Sequence, residues 1–94
     1  MVKRLIVSRN AYLHLDRIIE FNDLRNQSTT YSRKFIKALF KELELLKKFP
    51  LMGIETSREN IYVLIWRKYY IYYKNTNTLI EITAIYHQKE NVSR

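Results

Sequence analysis

The groups able to do chemistry in this 94-residue chain crowd its last third. Trp66-Arg67-Lys68, the tyrosines at 69, 70, 72 and 73, and the closing His87-Gln88-Lys89 follow one another there. Tyr86, His87, Gln88 and Lys89 leave the end of a predicted strand, so a titratable ring and a cation stand at the rim of a sheet. His87 is then either a reacting group or a strand-end imidazole held by its neighbours. Trp66, Arg67 and Lys68 form an expected exposed aromatic and cationic patch. Tyrosines can stack nucleobases at roughly 1–3 kcal/mol each where exposed, although strand alternation turns about half of them into the core. The only other histidine, His14, lies in a predicted helix with no partner three or four places away and is expected at the surface or its boundary. With no cysteine and only these two distant histidines, neither a disulfide framework nor a zinc motif is expected, and no metal or other cofactor is implied.

Seventeen Lys and Arg against nine Asp and Glu give a net charge of +8. In so small a body that charge favours acidic partners, whether nucleic acid, an acidic protein segment or both. The length suits one domain, residues 1–94, because a chain of this size has no surface to spare for a second core. Met1 to Val7 is too short for a signal core, and no uninterrupted apolar stretch would span a membrane. The cytoplasm is the expected location, with no membrane partner.

The elements that must position these groups can be read in order. Val2 to Val7 reads as a strand near a sheet edge, and Ser8 as the N-cap of a helix over residues 9–25 with Ala11, Tyr12, Leu15, Ile18, Ile19 and Phe21 inward. Asn26 to Thr30 is a short polar connection. A second helix follows to about Phe49, with Tyr31, Phe35, Ala38, Leu39, Leu43 and Leu46 on its inner stripe, widened by Ile36, Phe40 and Leu45. Lys34, Lys37, Lys41 and Lys48 lie near one another on its opposite side, most simply a solvated face, though equally a track for an acidic partner. Pro50 and Gly53 turn the chain. After an irregular stretch from Glu55 to Glu59, strands are predicted at Ile61–Trp66, Tyr69–Lys74 and Leu79–Tyr86, with Arg67-Lys68 and Asn75 to Thr78 as turns. The class is α+β, a small single domain ordered β-α-α-β-β-β. A helical hairpin packs on one face of a mostly antiparallel four-stranded sheet.

The ordered set LDRIIEF, YSRKFIKALFKELELLKKFPLMG, YYIYYK, LIEITAIYH and HQKEN resembles the RelE/ParE superfamily of toxins from type II toxin-antitoxin systems. The resemblance implies a bacterial growth inhibitor, encoded beside an antitoxin whose C-terminal segment wraps the toxin and masks its active surface, and the charge of +8 predicts that this partner is acidic and partly disordered. RelE-like members are similar in fold to ParE-like ones but differ in target: the former are ribosome-dependent mRNA endoribonucleases, the latter poison DNA gyrase. Metal-free RNA cleavage needs a base for the 2′-hydroxyl, cations on the phosphate and an acid for the leaving oxygen.

The chain departs from the ribonuclease pattern, in which two lysines alternate on the first meander strand and an arginine follows the tyrosine of the next. Here the first reads Tyr62-Val63-Leu64-Ile65-Trp66, and Tyr70 follows Tyr69. An enzyme would have to use His87 as an acid, with Arg58, Arg67, Lys68 and Lys89 holding the phosphate; His87, Arg58 and Lys89 are the candidate catalytic set. Otherwise Trp66, Arg67, Lys68, Tyr70 and Tyr72 are candidate contacts for the target or the antitoxin. The depleted cations favour ParE-like inhibition of gyrase over cleavage of mRNA on the ribosome. A basic binding domain without toxic activity, a decayed toxin, is the remaining class. With no recognition helix, specific operator binding by the chain alone is not expected.

Overall fold

The computed structural model describes residues 3–89. Met1, Val2, Glu90 and Asn91, which entered the readings above, lie outside that range. Seven elements follow one another: β1 (Arg4–Val7), α1 (Arg9–Asn26), α2 (Thr30–Lys48), β2 (Ile54–Glu55), β3 (Ile61–Trp66), β4 (Tyr69–Asn75) and β5 (Leu79–His87). The sheet runs β1-β5-β4-β3-β2. Its single parallel pair is β1 with β5, and the rest is antiparallel.

The expected four-stranded sheet therefore has a fifth strand. Ile54 and Glu55 pair with Val63 and Tyr62, turning part of the predicted irregular stretch into a short edge. Two residues are too few to display an alternation, and so short an edge offers little template for unwanted pairing.

The core lies between the helices and one sheet face. Leu64, Trp66, Tyr69, Ile71, Tyr73, Ile80, Ile82 and Ile85 meet Ala11, Leu15, Phe35, Leu39, Leu43 and Leu46 there. The helical stripes are narrower than predicted. On α2, Phe35, Leu39, Leu43 and Leu46 are buried, whereas Tyr31, Phe40 and Leu45 are exposed, so a single stripe of the helix enters the core. Lys34, Lys37, Lys41 and Lys48 are all exposed. On α1 Ala11, His14, Leu15 and Asn22 are buried and Ile18 and Ile19 pack partly buried against the core, while Tyr12 and Phe21 face solvent.

Tyr73 anchors the loop after α2. Its hydroxyl donates to the Pro50 carbonyl at 2.7 Å and accepts from the Gly53 N–H at 3.0 Å. A Cβ on Gly53 would stand 2.5 Å from that hydroxyl. Glycine is required here by close approach to a ring, not by backbone conformation, since its φ is not positive.

The strand β5 outruns β1, whose pairing ends at Val7 with Ile82. The start of α1 takes over the exposed edge. The Ser8 N–H donates to the Ile82 carbonyl at 2.9 Å and Asn10 Nδ2 to the Thr83 carbonyl at 3.0 Å, while the Ile85 N–H donates to His14 Nδ1 at 3.1 Å. Ser8 also caps α1 through its hydroxyl, which accepts from the Ala11 N–H at 3.1 Å. His14 is thus a buried edge cap, not the boundary residue its isolation suggested. The His14→Ala variant is expected to lose about 1–3 kcal/mol, the cost of leaving a buried amide without its acceptor, read as a lower urea midpoint at unchanged slope. An unchanged midpoint would contradict the capping role.

Candidate functional site

Where the second half of α1 passes the β3–β4 turn, the two leave a groove of about 720 Å³. Its walls come from three stretches of chain, with Tyr31 at the start of α2 added to them. The first, α1, brings Arg17, Phe21 and Arg25; the turn brings Arg67, Lys68 and Tyr69; the end of β5 brings His87 and Lys89. Five cations line the groove and no carboxylate does, so its walls are uniformly positive.

Strand register explains the convergence. Trp66 pairs with Tyr69, and Tyr69 with His87, so these three form one row on the helix-facing side at one end of the sheet. Phe35 of α2 supports the row, its ring 5.5 Å from Trp66 and 5.2 Å from Tyr69. Trp66 is only 9% exposed, which corrects the expected exposed patch. The indole is core, and it presents its cation indirectly: the Arg67 guanidinium lies 4.7 Å from the Trp66 ring centroid. Arg67 itself adopts φ 54°, a left-handed conformation at the hairpin tip where glycine is favoured.

The His87 ring stands edge-on to Tyr69 at 5.3 Å. Its Nδ1 accepts from the Lys89 N–H at 3.1 Å, so the neutral ring carries its proton on Nε2. Burial raises the Tyr69 phenol above its ordinary value, with a hydrogen bond to Asn22 opposing and Tyr31 adding to the rise. Burial likewise raises Tyr73, against its hydrogen bond to Gly53 and with Tyr62 adding. Both phenols keep their protons to higher pH in the fold than in the unfolded chain. Their contribution is therefore complete below about pH 10 and is lost as pH rises through the folded values. The urea midpoint is expected to fall above pH 10, and Tyr69→Phe to flatten that fall. A fall of the same steepness in the variant would remove Tyr69 from the account.

The other predicted contacts lie apart. Tyr70 and Tyr72 face the opposite side of the sheet, where Tyr72 is 8% exposed and packs with Val63 and Ala84. Three of the four clustered tyrosines, 69, 72 and 73, are buried, since both sheet faces carry apolar clusters. Arg58 precedes β3, its carbonyl accepting from the Ile61 N–H. His87 lies two strands over, level with the Trp66 end of β3, so at least the length of that strand, about 17 Å at strand rise, separates them. The structure brings His87, Lys89, Arg67 and Lys68 together and leaves Arg58 out.

Sequence reasoning missed Arg17, Phe21 and Arg25. Their spacing of four residues was the available signal, since it places all three on one side of a helix. Among the described residues no group of His, Cys, Asp or Glu could hold a metal ion, and no helix is long and apolar enough to cross a membrane.

Residues 5–92 match the family model described as the ParE toxin of the type II toxin-antitoxin system, parDE. No curated protein matches the chain. Solved structures share its fold, two of them from toxin-antitoxin systems. One is from the chromosomal ParDE system of P. aeruginosa, at 14% identity and a TM-score of 0.74, over 92% of this chain and 96% of that one. The other is from the RelBE2 toxin-antitoxin complex of Mycobacterium tuberculosis, at 17% identity and a TM-score of 0.66, over 93% of this chain and 99% of that one.

Proposed function

The chain belongs to the ParE toxin family of type II toxin-antitoxin systems, and from that premise we propose that it arrests growth by binding and inhibiting DNA gyrase. The observation that carries this reading is the composition of β3. Tyr62, Leu64 and Trp66 point to the core, while Ile61, Val63 and Ile65 face the other way, and no cation stands on the strand. Arg58 lies at the far end of the sheet, outside the groove that His87, Arg67, Lys68 and Lys89 line.

An acidic antitoxin is the proposed regulator. Supporting it are the charge of +8 and the side chains of Phe21, Leu24 and Leu13, which are 63%, 73% and 54% exposed along one side of α1. A segment that folds on binding could cover both features, with an affinity that weakens as salt rises.

Cleavage of mRNA on the ribosome is the second reading, favoured by one observation: His87, Lys89, Arg67 and Lys68 share the groove. Induction in a bacterial host without the antitoxin separates the readings, followed through labelled thymidine and amino-acid incorporation over the first minutes. The expected result is early loss of DNA synthesis, retained in His87→Ala. An early fall in protein synthesis alone, abolished by His87→Ala, would establish the ribonuclease instead. No effect on either label would leave a binding domain that has lost its toxicity.

A further inference from the structure

Phe21 is 63% exposed, and a ring so open contributes little to the fold. It stands midway between Arg17 and Arg25 on the side of α1 that borders the groove, and all three line it. Successive members are one turn apart, with about 6 Å of helix rise between neighbours and ~12 Å between the two arginines. Across the groove stands Arg67, held over Trp66 in a backbone conformation that favours glycine. An arginine kept at such a position points to a use for its side chain.

We propose that this ledge and the turn opposite it form a binding site for single-stranded nucleic acid. A base stacks on Phe21 while flanking phosphates are held by Arg17 and Arg25, and Arg67 closes the far side. Proteins that grip single strands without reading sequence use this combination, a cationic groove with aromatic platforms. An acidic peptide would satisfy the cations as well. The even alternation of guanidinium, ring and guanidinium fits the alternation of phosphate and base better. The site involves no cleavage, and it goes beyond gyrase binding by giving the chain its own hold on a strand.

The test is anisotropy of a fluorescein-labelled twelve-nucleotide oligothymidylate titrated with the full chain at several salt concentrations. Saturable binding is expected, with an affinity that falls as salt rises. Phe21→Ala should weaken it on the order of tenfold, and Arg17→Ala or Arg25→Ala should each make the salt dependence shallower by about 0.7 in log–log slope. Lys34→Ala and Lys41→Ala, on the solvated face of α2, should change neither ring stacking nor the groove. Melting curves of all variants should coincide, because every side chain replaced is exposed. The proposal is overturned if the α2 variants weaken binding as much as the ledge variants do, or if no saturable binding occurs. It is also overturned if an oligoglutamate of equal length binds more tightly and depends on Phe21, which would make the ledge a peptide site. The assay contains no gyrase, so its failure is distinguishable from failure of the gyrase reading.

Discussion

Phe35→Ala is expected to cost about 3–5 kcal/mol, the usual penalty for removing a fully buried aromatic ring. Phe35 is 2% exposed and touches both Trp66 and Tyr69, so neither neighbour can close the void without moving the β3–β4 turn. A domain of this size has roughly 5–14 kcal/mol in all. At about 4–8 °C per kcal/mol, the melting temperature should fall by ~12 °C or more, or the variant should fail to fold. Circular dichroism during heating measures this. A fall of less than about 5 °C would mean that the aromatic cluster under the groove relaxes freely, and that the groove has no rigid floor.

Gly53→Ala should come next, at about 2–4 kcal/mol, combining overpacking with loss of a buried hydroxyl's partners. The added methyl meets the Tyr73 ring at Oη, Cε1 and Cζ, at 2.5, 2.8 and 3.0 Å, and Tyr73 is fully buried. The ring cannot swing away without giving up its bonds to Pro50 and Gly53. Tyr73→Phe removes the atom most in the way, so the double variant should be less destabilised than the sum of the two single changes. Additive losses in urea unfolding would show that the clash is relieved elsewhere.

The order of elements and most of their boundaries were legible because strong local signals mark them. Ser8 does cap α1, Arg67-Lys68 does make the turn, and β3 begins and ends where its apolar run does. The inner face of α1 was not legible by hydrophobicity. Two of its buried residues, His14 and Asn22, are polar, with partners on β5 and at Tyr69. Counting apolar side chains skips such positions and recruits Tyr12 and Phe21 in their place. Trp66 could have been placed correctly, since Tyr62, Leu64 and Trp66 alternate toward one face; the turn that follows suggested exposure instead. The groove depends on α1 passing the β3–β4 turn, a tertiary relation no local pattern encodes. So His87 and Lys89 could be named from sequence, but not the arginines that face them.

The two faces of the hairpin tip divide its work. Trp66 and Tyr69 hold the tip to α2 from within, and Arg67 and Lys68 present charge outside. Such a rigid cationic tip suits recognition of an acidic surface, and it needs none of the proton transfers that cleavage would require.

The most direct measurement of the central claim uses purified gyrase, relaxed plasmid and the purified chain. Supercoiling should be lost as the chain approaches the concentration of gyrase and should return when an acidic antitoxin is added, while mRNA in a parallel translation mixture stays intact. Undiminished supercoiling together with cut mRNA on ribosomes would contradict the account and place the chain among the ribonucleases.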